Sequence, residues 1–277
     1  MKKEGYRAST ITSRIKSLRG LSRKSNLLDP ESVKAAIAGL AVSEARKEVL
    51  VCAYAGLCKQ LGIHFENPRY RRVEKLPFIP VESEVDQLIA GMGKKTATYL
   101  QALKEWGCRA GELWNLRWED LDLENGTVNI TPEKNSSPRQ LRVSSKLSAM
   151  LNNLPRKGSL VFGAGSLDDF ARWFYMKRLQ IAIKLSNPRI RKIGFKTLRH
   201  FKASTLYRQT RDILLVKATL GHKDIRNTLV YTHLLGEQDS DWTCKTAKSL
   251  TEASSLIESG FEYVTELDGT KLFRKRK

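Results

Sequence analysis

The chain has 277 residues, enough for one large domain or two modest ones, and 41% of them are hydrophobic, which excludes global disorder. Lys and Arg number 49 against 29 Asp and Glu, a formal charge of +20, and residues 1–80 already carry 16 basic against 7 acidic side chains. Charge spread along both halves excludes a lone basic tail and points to a polyanionic partner, with nucleic acid the usual one.

The N-terminus is polar, so no signal peptide is expected. No apolar run reaches the roughly 18 residues of a membrane span, so the chain is expected to be cytoplasmic, associated with the nucleoid and not with membranes. Cys52, Cys58, Cys108 and Cys244 form no CxxC pair and share no ligand spacing with histidines, so neither a zinc site nor any other cofactor is expected. Cys52 and Cys58 fall in an apolar helical run and read as small core residues.

Residues 1–66 read as a helical bundle. Ile11, Ile15, Leu18 and Leu21 repeat at helical spacing. Asp29-Pro30 is an N-cap followed by a first-turn proline, opening a helix that carries Val33, Ile37 and Leu40. Ser43 caps a third helix with Val49, Leu50, Ala53, Tyr54, Leu57 and Leu61 on one face, closed by Gly62. Residues 67–80 hold three prolines and several arginines, a composition that stops helices and stays wet, so they read as a linker.

Beyond it, Glu82 to Ala90 and Thr96 to Trp106 are predicted helices, the second ended by Gly107. Leu121 to Val143 is the one clear β region: Asn125-Gly126 signals a turn, Thr127 to Ile130 a strand, and Leu141 to Val143 its return. Further helices are predicted near 167–185, 196–208, 211–220 and 224–232. Thr246, Leu250, Ala253, Leu256 and Ile257 suggest one more, packing either within the chain or onto a neighbouring subunit. The run from 271 to 277, with five basic residues in seven, is expected to be mobile.

Several polar residues between 105 and 235 suit phosphate chemistry. Arg109 stands where a helix begins, so its guanidinium would add to the N–H groups of a helix N-terminus. Lys134 occupies the turn between the two strands. Lys196 and Arg199, three apart, share a helix face, where two cations repel unless an anion joins them. His222 follows a helix-ending Gly221, and Tyr231 comes nine residues later. Each feature is common on protein surfaces, and spacing alone leaves Tyr175 and Tyr207 as equal candidates for a nucleophile.

Taken together, Arg109-Ala-Gly-Glu-Leu, Lys134 with Arg139, Lys196-Thr-Leu-Arg199-His200, Leu-Gly-His222 and Tyr231-Thr-His233 follow the order and approximate spacing of the tyrosine recombinase (phage integrase) family, which the chain resembles over almost its whole length. The resemblance implies a mainly α fold with a small antiparallel β-sheet, arranged as a two-domain DNA clamp: a helical core-binding domain at 1–66, a linker at 67–80 and a catalytic domain at 81–277. It implies site-specific cleavage and rejoining of double-stranded DNA, without metal or ATP, by a homotetramer on two duplexes. Tyr231 would attack the scissile phosphate to give a 3′-phosphotyrosyl link. Arg109 and Arg199 would hold the non-bridging oxygens, and Lys134, on a flexible hairpin, would protonate the leaving 5′ oxygen. His222 would bind the phosphate and help manage the tyrosine proton, while Glu112 would buttress Arg109. No arm-binding domain is expected ahead of residue 1.

Two positions depart from the family's pattern. Lys196 stands where His is usual, so it is assigned phosphate contact and not base duty, and in this it resembles archaeal integrases and type IB topoisomerases. Trp106-Gly107 replaces the common Thr-Gly and reads as a packing change. The ending Gly260-Phe-Glu-Tyr-Val with Lys271 to Lys277 resembles archaeal integrase-type recombinases. An integrase and a Xer-like dimer resolvase are both compatible with this pattern. The two-domain layout disfavours a type IB topoisomerase, and the complete polar set disfavours an idle DNA-binding relative.

Overall fold

In the computed structural model the described residues are all except 73, 74, 135, 164, 233–241, 268 and 277. The chain divides into two compact units, Met1–Lys75 and Leu76–Lys277.

The first unit holds helices α1 (Ala8–Ser22), α2 (Pro30–Ala38) and α3 (Glu44–Leu61). Local chemistry sets their ends. Asp29 accepts from the Glu31 amide ahead of Pro30, Ser43 accepts from the Arg46 amide, and Gly62 closes α3 in the left-handed conformation. Leu21, Val33, Ile37, Leu50, Val51, Tyr54 and Cys58 form the core, and the Tyr54 hydroxyl donates to the Leu27 carbonyl at 3.0 Å. The buried faces are narrower than periodicity suggests: Ile15, Val49 and Leu61 are exposed. Cys52 is also exposed, contrary to the core position expected for it, because it lies on the side of α3 away from Cys58 and Tyr54.

The second unit begins with α4 (Glu82–Ala90), α5 (Lys94–Trp106) and the short α6 (Ala110–Trp114). Strands β1 (Leu121–Asp122), β2 (Thr127–Ile130) and β3 (Arg139–Arg142) form an antiparallel sheet in that order. Then come α7 (Ser145–Asn152), α8 (Leu167–Lys184), α9 (Phe195–Thr210), α10 (Ile213–Leu220) and α11 (Arg226–Leu229). The fold is mainly helical, as expected. Helix α5 is the spine of the core: Tyr99, Leu100, Leu103 and Trp106 are buried, and the helix packs on α4, α7 and α9. Trp106 fills the core and donates its indole N–H to the Arg142 carbonyl at 2.9 Å, tying β3 to α5. Tyr99 meets Trp114, Phe162, Phe170 and Phe195 edge-on, and its hydroxyl donates to the Ala110 carbonyl at 2.7 Å. This aromatic hub thereby fixes the start of α6, directly after Arg109.

A second sheet corrects two expectations. Strands β4 (Trp242–Ala247), β5 (Glu262–Leu267) and β6 (Thr270–Arg276) pair in the order β4-β6-β5, with α12 (Leu250–Glu258) against them. The basic run is thus the central strand of a sheet and not a mobile tail, and Leu121 to Val143 is not the only β region. Phe273 is buried with Ala247 and Ala253, while Lys245 and Lys275 lie 5.4 and 5.7 Å from the Phe261 ring centre. Long cationic side chains can cover apolar surface while their charged ends stay wet, so charge density alone does not exclude a strand. Thr246 falls in β4 and not in the helix expected there. Ala253 and Leu256 hold α12 to this sheet, and Leu250 and Ile257 stay exposed. Residues 233–241, which precede β4, lie outside the described residues.

Candidate active site

A cleft of about 670 Å³ in the second unit is lined by Arg109, Lys134, Lys196, Arg199, His222 and Tyr231, together with His200, Glu133, Lys223 and Asp224. Six side chains spread over more than 120 positions of sequence therefore meet in one cavity. His233 lies outside the described residues.

Arg109 is the N-cap of α6. That helix has five residues, too short for a substantial macrodipole, so the guanidinium itself is what the position supplies. Glu112, with no exposed side-chain surface, accepts from Arg109 at 3.1 Å and from Arg139 at 2.6 Å. Its other bonds are to backbone amides, from Arg109 at 2.9 Å and from Glu133 at 3.4 Å. Burial opposes ionisation of Glu112, but the Arg139 guanidinium and the Arg109 amide win and hold its carboxyl down at about 2. Glu112 thus buttresses Arg109, as expected, and also fixes Arg139.

Arg199 is deeply enclosed, 7% exposed. It donates to the carbonyls of Gly107 at 2.7 Å and Leu220 at 2.8 Å, the C-terminal ends of α5 and α10. Helix C-termini favour a cation, and two fixed acceptors hold the guanidinium in place with N–H groups to spare for a ligand. Burial, then the nearby Arg109 and Arg139, bring its pKa down to about 10, so it is still charged at neutral pH. Three guanidiniums around one buried carboxylate leave the cleft with excess positive charge, an arrangement that calls for an anion.

Lys134, at φ 50°, sits in the left-handed region within the β2–β3 loop. This loop is anchored rather than free. On one side the Glu133 carbonyl accepts from Arg109 at 3.4 Å; on the other, the Ser137 amide and Ser136 hydroxyl donate to the Gly221 carbonyl at 3.0 and 3.1 Å. Gly221 takes φ 68° to end α10, and a Cβ there would lie 2.8 Å from both Arg139 Nη1 and Ser136 Oγ. Glycine is required twice over, once for conformation and once for close approach.

Lys196 is exposed at the cleft margin, one turn before Arg199 on α9. His222 bonds through Nδ1 to the fully buried Thr228 hydroxyl at 3.0 Å, which leaves Nε2 for the cleft. Burial, then Arg199 and Arg109, hold its pKa down at about 4, so it is neutral at pH 7. Tyr231 is 2% exposed and packs on Ala203, Val216 and Leu220. Burial raises its pKa, and the Arg199 guanidinium works against that rise.

The hydroxyl of Tyr231 lies 2.9 Å from His200 Nδ1, so its hydrogen bond is to His200 and not to His222, the residue expected to manage its proton. Sequence reasoning quoted His200 in the Lys-x-x-Arg-His motif without giving it a role. No local signal marks it, since the contact spans 31 positions. Tyr175 is exposed on α8 and Tyr207 packs beside the Tyr231 cluster; neither lines the cleft.

The Phage integrase family model matches residues 81–238, more than half of the chain. Among curated proteins, the tyrosine recombinase XerC of Xanthomonas axonopodis pv. citri is 28% identical over 212 residues, covering 71% of this chain and 69% of that protein. The probable integrase/recombinase protein MJ0367 of Methanocaldococcus jannaschii is 27% identical over 187 residues, 61% of this chain and 57% of that one. Among solved structures, the Tn1549 transposon integrase in complex with transposon right end DNA shares the fold at TM-score 0.63 and 14% identity, over 92% of this chain and 94% of the other. Among the described residues, no helix is long and apolar enough to cross a membrane, and no group of His, Cys, Asp and Glu could hold a metal ion.

Proposed function

Since this chain belongs to the phage integrase family of tyrosine recombinases, we propose that it is a site-specific recombinase that cuts and rejoins DNA strands through a covalent link to Tyr231. The observation that carries this reading is the convergence of Arg109, Lys134, Lys196, Arg199, His222 and Tyr231 on one cleft.

In this reading the Tyr231 oxygen attacks the scissile phosphorus, a 3′-phosphotyrosyl bond forms and the bond to the 5′ oxygen breaks. Arg109 and Arg199, with Lys196 at the margin and His222 through Nε2, hold the non-bridging oxygens as charge builds on them. Lys134 gives the departing 5′ oxygen its proton. The new ester keeps the energy of the old phosphodiester, so rejoining needs neither ATP nor a metal. The reading assigns residues 1–66 to core-site binding, 67–80 to a linker and 81–277 to catalysis, and takes the working form to be a homotetramer on two duplexes.

The direct test is covalent capture: the full chain is mixed with duplexes of random core sequence, and the DNA-linked peptide and strand junction are mapped. A 3′-phosphate on Tyr231 is expected, and no adduct with any duplex would overturn the reading. Arg199→Ala should slow adduct formation by about 10²–10³-fold, the usual cost of losing a donor to a developing oxyanion. A loss confined to affinity would remove Arg199 from transition-state duty. With a net charge of +20, duplex affinity should also fall steeply with salt. About six phosphate contacts predict a loss near 10³-fold between 50 and 200 mM, and a flat titration would contradict phosphate-dominated binding.

A further inference from the structure

Cleaving DNA with a tyrosine needs somewhere for the phenolic proton to go. Lys196, Arg109 and Arg199 carry only N–H donors in their charged forms, and His222 has committed Nδ1 to Thr228. His200, one residue beyond Arg199 on α9, has Nδ1 2.9 Å from the Tyr231 oxygen, with the ring centres 5.8 Å apart and the planes at 54°. Both residues line the cleft.

We propose that Nδ1 of His200 accepts the proton of Tyr231 as the phenol oxygen attacks phosphorus, and returns it when the strand is rejoined. This rests on the reading of Tyr231 as the nucleophile. In the Nε2–H tautomer, the Nδ1 lone pair accepts the phenolic O–H. On attack, an oxygen electron pair forms the P–O bond, the O–H pair stays on oxygen and the proton moves to Nδ1, giving an imidazolium. The P–O bond to the 5′ oxygen breaks, and Lys134 supplies that oxygen's proton. In rejoining, the 5′-hydroxyl attacks, the bond to the tyrosine oxygen breaks and the imidazolium protonates it.

The surroundings suit a base that is empty at rest and loaded only with DNA bound. Lys196 and Arg199 flank His200 on its own helix, with His222 across the cleft from the loop after α10. Burial, then Lys196 and Arg199, hold the imidazole at about 4, so at pH 7 it is neutral and Nδ1 carries no proton of its own in that tautomer. A bound phosphate brings negative charge beside it and raises its basicity at the moment of attack.

The test uses the full chain and a duplex recovered by covalent capture, made with either oxygen or sulfur at the bridging 5′ position. A thiolate leaves without needing a proton. In single-turnover adduct formation, His200→Ala is expected to be slower by about 10²–10⁴-fold on both substrates, the range for lost acid–base catalysis. Lys134→Ala should be slow on oxygen alone. The His200→Ala rate should climb about tenfold per pH unit, because the phenol must now ionise beforehand, while wild type stays flat near neutrality. Added imidazole should restore it, and duplex affinity should not change. His200→Gln, which keeps a hydrogen-bonding group but cannot take a proton, should be as slow as His200→Ala. Wild-type rates in either variant, or a slow His200→Ala with the wild-type pH profile and no imidazole rescue, would overturn the proposal. Failure of wild type to form any adduct is a different outcome, which overturns the strand-cutting reading beneath it.

Discussion

Tyr231→Phe is expected to bind DNA as tightly as wild type and to form no covalent adduct, a loss of at least about 10⁴-fold in strand cleavage given how completely removal of a nucleophile disables such sites. The substitution isolates the hydroxyl. The ring is 2% exposed among Ala203, Val216 and Leu220, and phenylalanine keeps every one of those contacts. Only the hydrogen bond with His200 is lost, worth about 0.5–1.5 kcal/mol net, so the fold survives. Binding depends on cations the change does not touch. The measurement is a labelled duplex followed through denaturing electrophoresis, beside an affinity titration of the same samples. A persisting adduct would move the nucleophile elsewhere, with Tyr207 the nearest alternative because it packs against the same cluster.

Glu112→Ala is expected to be the most damaging single change to stability in the second unit. Its carboxylate has no exposed surface and joins Arg109, the 6% exposed Arg139 and the Glu133 amide of the Lys134 loop. Removing one member of a buried ionic cluster costs about 3–5 kcal/mol, because the partners stay buried without their counter-charge. For a unit of this size that is a fall of roughly 10 °C in Tm. Arg109, Arg139 and Arg199 would then repel one another with nothing between them, so cleavage should fail even where the protein remains folded. Calorimetry and adduct formation on one preparation check both halves, and a Tm within a degree or so of wild type would show that the cluster is not structural.

Acid titration gives the same residue a second readout. The folded carboxyl titrates at about 2, against about 4.3 in an unfolded chain. Its contribution is therefore complete above about 4.3 and is lost as pH falls towards 2. His200 and His222 are depressed to about 4 from about 6.5. Both are favoured neutral, so their contribution is lost earlier, between about 6.5 and 4. Wild type should weaken over both windows, and Glu112→Gln should lack the lower one.

Helix ends were legible in the sequence because their causes are local. Asp29-Pro30, Ser43, Gly62, Gly107 and Gly221 each satisfy or terminate a helix within a few residues of themselves, and the structure puts each at a cap. The turn at Asn125-Gly126 was legible for the same reason and joins β1 to β2, Asp122 against Thr127, while β3 returns against β2. The second sheet was not: β5 and β6 form a hairpin, Leu267 against Thr270, but β6 is central only because β4 returns to its other edge from a distant position, Trp242 against Arg276. A cationic run carries no mark of neighbours it meets only after folding.

By itself the sequence determined the charge, the helix boundaries and an ordered set of polar residues that resembles one family, since composition, capping and spacing are properties of the chain. The tertiary structure alone decided which of these groups touch. Gly107 and Leu220 carbonyls hold Arg199, Glu112 reaches Arg139 as well as its neighbour Arg109, Gly221 pins the lysine loop, and His200, not His222, takes the tyrosine hydroxyl. Each of these contacts closes a gap between elements, and its geometry is set by how the buried faces of α5, α9 and α10 pack, which no stretch of sequence contains.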